Sequence, residues 1–180
     1  MSPRLALTAV LLTVIAVGSA SSGAQQPPAA APYPLDDVPD KMPFDVPYGA
    51  PVPLERAQAA IAAAAAEARK HDWKLCIAVV DSGGNLVAFE RMDGAQLASV
   101  QISEHKARAS ASFRRETKVF EKGIQQSGNL YIMTLDGVIG SRGGIPLIEG
   151  GKLIGAIGCS GGTGSQDEVA CKAGVAAIIK

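Results

Sequence analysis

At 180 residues the chain can bury one sizeable core, and its seventeen basic and seventeen acidic residues cancel, so no basic stripe for nucleic acid is evident. Four Phe, three Tyr and one Trp are also too few for a base-stacking surface. Three cysteines without a Cys-x-x-Cys pair give neither a zinc nor a redox motif.

Arg4 supplies a positive start, and Leu5 to Val17 is an apolar run followed by small residues. A bilayer span takes about 20 apolar residues, so the run is short for a span and fits a secretory signal. Cleavage is expected after Ala20 or Ala24, where Ser22-Gly23-Ala24 is the better small-x-small site. The expected product is secreted or periplasmic and keeps no stable membrane span. The first cysteine is Cys76, which excludes lipid attachment at a new N-terminal cysteine.

Residues 25–53 hold nine of the eleven prolines. Proline lacks a donor and restricts the residue before it, so this segment is read as a polyproline-like tether. Tyr33, Leu35, Val38, Met42, Phe44, Val46 and Tyr48 are unusual in a solvated linker, and they equally support part of it lying along the domain or a neighbouring subunit. The domain proper is expected over 54–180.

Leu54 to His71 is alanine-rich and strongly helical, with Glu55 near its start and Arg69, Lys70 and His71 near its end, as the helix dipole favours. Trp73 to Val80 and Leu86 to Met92 read as strands joined by Asp81-Ser82-Gly83-Gly84-Asn85. Gln96 to Ser112 and Thr117 to Gln126 read as helices, and Leu130 to Leu135 as a third strand. Asp167 to Ile179 closes the chain as a helix, capped by Ser165 or Asp167.

Between the last two elements, Gly137 to Gly164 contains eleven of the twenty glycines. Glycine costs about 0.5–1 kcal/mol inside regular elements, so the chain must turn tightly or approach something closely here. Ile145 to Ile148 and Leu153 to Ile157 are apolar runs of strand length, and Gly150-Gly151 between them is a hairpin signal. Antiparallel pairing would bring the loops Ser141-Arg142-Gly143-Gly144 and Ser160-Gly161-Gly162-Thr163-Gly164 to one sheet end, beside the last helix. Five strands and about four helices in this order point to an α+β fold with an antiparallel sheet.

Cys76 and Cys159 fall in predicted core strands and Cys171 on the last helix. Three buried small hydrophobes is the leading reading. A Cys159–Cys171 bridge is the alternative, because that helix is placed over the strand holding Cys159.

The stretches Ala78-Val79-Val80-Asp81-Ser82-Gly83-Gly84-Asn85-Leu86, Arg91-Met92-Asp93-Gly94-Ala95, Lys106-Ala107, Gly143-Gly144-Ile145-Pro146-Leu147 and Gly155-Ala156-Ile157-Gly158-Cys159-Ser160-Gly161-Gly162, then Gln166-Asp167-Glu168, occur in this order. In them the chain resembles the GlcG/HbpS-like heme-binding proteins, a family that includes the C-terminal domain of PduO-type corrinoid adenosyltransferases. The resemblance implies a profilin-like five-stranded antiparallel sheet of order 2-1-5-4-3 with helices on both faces. It also implies heme as cofactor, a homo-oligomer, and a role in heme capture, storage or sensing.

Imidazole is the common axial donor, which makes His71 and His105 the candidate heme ligands. Some relatives carry ligation near the end of the first helix, close to the offset of His71. Tyr131 and Met133 also carry donors that iron accepts, but on a predicted strand they are assigned to the core. Arg114 and Arg115, with Arg108 and Lys118, form a basic cluster suited to propionates. The glycine loops carry a rival reading as a small-carboxylate pocket of Arg142, Gly143, Gly144, Ser160, Gly161 and Gly162. Lys106 or Asp167 would then be the acid or base of a lyase, isomerase or hydratase. An interaction module regulating a sensor or transport partner is the third reading, and a binding protein is preferred to an enzyme.

Overall fold

A computed structural model describes residues 38–42 and 44–179. The expected leader, residues 1–24, lies outside the described residues. The first helix, α1 (Leu54–Lys70), starts just after Pro53 and buries the stripe Ala57, Ala60, Ile61, Ala64, Ala65 and Ala68. Such small side chains allow close packing, and α1 lies against the closing helix α4 (Gly164–Ile178). A Cβ on Gly174 would stand 2.7 Å from the Ala60 carbonyl oxygen.

Strands β1 (Cys76–Asp81) and β2 (Leu86–Arg91) form the first hairpin, with Gly84 at φ +82° in its turn. The Asp81 carboxylate accepts from the backbone amides of Gly83 and Asn85, at 2.8 and 2.9 Å, which fixes the turn. Strands β3 (Gly144–Glu149) and β4 (Lys152–Ser160) form the second, with Gly150 and Gly151 both at positive φ, as a primed turn requires. Ile145 stands opposite Ile157, as expected.

The four strands make one antiparallel sheet of order β2-β1-β4-β3. Ile77, Val79, Ile145, Leu147, Ile157 and Cys159 pack with α1 and α4 on one face. On the other, Ala78, Val80 and Ala156 pack with Ala107 and Ala111 of α2 (Ala98–Phe113). A Cβ on Gly158 would lie 2.1 Å from the Ser103 carbonyl oxygen, and one on Gly144 2.3 Å from that of Lys106. Glycine in these strands therefore lets α2 rest its backbone directly on the sheet.

The third of the five expected strands, Leu130 to Leu135, is absent among the described residues. Leu130–Thr134 is a 3-10 helix after α3 (Lys118–Gln125), and only Ile132 in it is buried. The outer edge of β3 explains the difference. Gly144 spends its outward groups on Thr117, donating to Oγ1 at 3.0 Å and accepting from the amide at 3.0 Å. Two residues on, Pro146 has no N–H to offer a further strand. The sheet order is thus the expected one without its last edge.

Three further differences are local. Cys159 and Cys171 form a disulfide joining β4 to α4, with Cα atoms 5.8 Å apart, so only Cys76 remains a free buried thiol. Thr163, rather than Ser165 or Asp167, caps α4 through a reciprocal box with Gln166. The Pro-rich segment partly joins the domain: Gly49 donates to Leu153 at 2.7 Å, Leu153 to Pro47 at 2.9 Å, and Val52 to Ile154 at 2.8 Å. Residues 47–52 thereby extend the lane of β1 alongside β4, with Val52 buried. Among the described residues no helix is long and apolar enough to cross a membrane.

Candidate functional site

The two glycine loops meet at one sheet end, as antiparallel geometry requires. Lys106 of α2 reaches across it to Asp167 of α4, Nζ to Oδ2 at 2.7 Å, with side-chain exposures of 1% and 3%. The Gly162 amide donates to the other Asp167 oxygen at 3.1 Å. Burial pushes the Asp167 carboxyl above its ordinary range, against the opposing pull of Lys106 and that amide. Gly143, at φ +113°, leaves room for the pair, since a Cβ there would stand 2.8 Å from that of Asp167. Ser160 donates to the Ser99 hydroxyl at 3.1 Å, and a Cβ on Gly161 would sit 2.2 Å from the Lys74 carbonyl oxygen.

The charges beside this pair also close on one another. Arg142 donates from its amide and its guanidinium to Glu121, at 2.9 and 2.7 Å, and lies 3.5 Å from Glu168. Glu168 also holds Lys118 and Lys172. Burial pulls the Glu168 carboxyl up, but the two lysines hold it below the usual range. Hydrogen bonding to Arg142 does the same for Glu121. The residues expected to form a carboxylate pocket are brought together, and their cations are already paired. This arrangement ties α2, α3 and α4 across the sheet end.

The expected heme residues are dispersed. His71 sits at the end of α1, stacked on Trp73 at 4.4 Å and 3.5 Å from a Glu67 oxygen. His105 lies on α2, over the opposite sheet face, in a cleft of about 680 Å³ with Gln101, Glu104, Arg108 and Ser112. Arg108 is paired there with Glu104, so the walls are polar and ionic. Arg114 ends α2 in the left-handed region, φ +56°, where it donates to the Val46 carbonyl at 3.0 Å and lies over the Tyr48 ring.

That left-handed turn sends Arg115 into a different environment. Arg115 lines a cleft of about 480 Å³ between the end of α2, α3 and the 3-10 helix. Phe113 and Phe120 meet there edge to face, ring centroids 5.1 Å apart, with Val119, Ile132 and Leu135 beside them. The Arg115 guanidinium lies 3.2 Å from the Phe44 ring centroid, and its Nε donates to the Phe113 carbonyl at 2.9 Å. Lys122 is the second cation of the lining, which contains no carboxylate. Burial lowers the Arg115 pKa, because the charged guanidinium loses hydration there.

Tyr131 lines the same cleft and is 48% exposed, and Met133 is 63% exposed. Their expected place in a core strand is therefore wrong, for the reason that removes the strand. The sequence held a signal for this cleft: three of the four phenylalanines, Phe44, Phe113 and Phe120, gather here, two of them flanking Arg114-Arg115. In a chain with so few aromatics that concentration is informative.

The family described as Haem degrading protein HbpS-like matches residues 52–176. The chain is 41% identical over 106 residues to Protein GlcG of Escherichia coli K12, covering 59% of this chain and 78% of that one. Among solved structures it is similar to a double mutant of Streptomyces reticuli HbpS, with TM-score 0.65 and 31% identity, over 83% of this chain and 97% of that one. It is also similar to a PduOC:heme complex, with TM-score 0.65 and 25% identity, over 71% and 95% of the two chains.

Proposed function

The chain belongs to the HbpS-like family, and on that premise we propose that it is an exported, homo-oligomeric heme-binding protein acting in heme capture, storage or sensing. The observation that carries the reading is the lining of the aromatic cleft. A porphyrin offers a flat apolar disc with two propionates. The cleft offers Phe44, Phe113, Phe120 and Ile132 as apolar walls, Arg115 and Lys122 as cations, and no carboxylate to repel the propionates. Its volume of about 480 Å³ falls within the range of roughly 300–1,000 Å³ usual for cofactor sites. The His105 cleft fits less well, because a macrocycle there would desolvate the Glu104–Arg108 pair.

Heme would supply a redox-active iron, while the chain's own residues bind and orient it. Phe113 and Phe120 would give the macrocycle apolar contact, and Arg115, partly buried in the lining, would pair with a propionate. Similarity to the PduOC:heme complex supports this reading. Hemin titrated into the purified chain should shift its Soret band at micromolar concentration, and Arg115→Ala should weaken binding roughly ten-fold or more. An unshifted Soret band at micromolar hemin would refute the proposal.

A further inference from the structure

We propose that Tyr131 ligates the heme iron through its phenolic oxygen, an assignment that rests on the heme reading above. The cleft lining contains no histidine, cysteine or methionine. His71 is stacked on Trp73 at the end of α1, against the other face of the sheet, and His105 belongs to the separate polar cleft. Ser127 and Asn129 offer a neutral hydroxyl and amide, both weak donors to ferric iron, and Lys122 offers an ammonium with no lone pair. A tyrosine oxygen is an established type of axial donor to heme iron. By elimination within the lining, the phenol is the one strong ferric ligand.

The hydroxyl is also available. Among the described residues no group accepts from the Tyr131 hydroxyl, whereas Tyr48 donates its own to the Ser112 carbonyl at 3.0 Å. Arg115 shares the same lining and is held by no carboxylate among the described residues, so it leaves a positive charge in the cleft beside Tyr131. On coordination the phenolic proton passes to solvent, the oxygen lone pair forms the iron–oxygen bond in place of a water, and the iron stays ferric. The 3-10 helix lies between Gly128 and Gly137, both at positive φ, which lets this short segment project Tyr131 outward instead of continuing the sheet.

The test loads the full chain and its variants with hemin and reads resonance Raman and visible absorption. Wild type should show a high-spin ferric spectrum with phenolate-to-iron charge transfer and iron–phenolate modes. Tyr131→Phe should lose both, with its far-UV circular dichroism unchanged, while His71→Ala and His105→Ala keep them. If wild type binds hemin and Tyr131→Phe leaves the spectrum unchanged, or either histidine variant abolishes it, the tyrosine assignment is overturned and the heme reading stands. If wild type binds no hemin, both fall together.

Discussion

Among the described residues Lys106 is the largest fully buried side chain, and Asp167 is the one group there that meets its charge. Truncating one partner leaves the other charge buried and alone, so Lys106→Ala should destabilise by about 3–5 kcal/mol. Replacing both together with Met and Leu should recover much of that, as urea denaturation of the single and double variants will show. The carboxylates beside this pair set the acid response. Glu121 and Glu168 titrate below their ordinary value of 4.5 in the folded chain, so each contributes stability above that pH and loses it as pH falls through the depressed value. Asp167, raised by burial, runs the other way, because its folded state takes up the proton first and so resists the loss. The urea midpoint should therefore fall between about pH 5 and about pH 3, and fall less in Arg142→Ala, which removes the partner of Glu121.

Among the elements, the closeness of α2 to the sheet is the most exacting feature. Gly158 has no special φ, yet a Cβ there would meet the Ser103 carbonyl at 2.1 Å, with the Ala107 amide at 2.5 Å. Gly151 has φ +76° but open space around it. Gly151→Ala should cost only the left-handed penalty of about 1–2 kcal/mol. Gly158→Ala should cost more, since a whole helix has to lift, and thermal melts of the pair will rank them. The Cys159–Cys171 bridge pins α4 to the sheet at the middle of the helix. Reduction should lower the melting temperature by the equivalent of roughly 2–4 kcal/mol in wild type and leave Cys171→Ala unmoved.

For the molecule as a whole, the segment before α1 belongs to the domain rather than merely leading into it. Phe44 forms part of the cleft wall, Val46 accepts from Arg114, and Tyr48 and Gly49 extend the sheet. Phe44→Ala should open the cleft and weaken hemin binding with little effect on the melting temperature, because Phe44 stands outside the buried core. If the chain is exported as proposed, N-terminal sequencing of the mature product should read from Ser21 or Gln25. An intact Met1 on the extracytoplasmic protein would contradict cleavage.

Local rules were enough for much of this. Gly150-Gly151 between two apolar runs specified a hairpin because primed turns demand positive φ, and the alanine run of α1 specified a helix because alanine loses least on ordering. Of the family motifs, Gly143–Leu147 and Gly155–Gly162 sit on β3, β4 and the glycine loops, while Lys106 and Asp167 come to the same sheet end from α2 and α4. Tertiary structure alone decided the rest, because the deciding partners are remote in sequence. Thr117 occupies the edge of β3, so Leu130–Thr134 cannot join the sheet, and Tyr131 emerges beside Phe44, Phe113 and Arg115 instead of entering the core. A hydrophobic pattern records that a residue prefers burial, but which edge is already taken depends on a hydrogen bond between residues 27 positions apart.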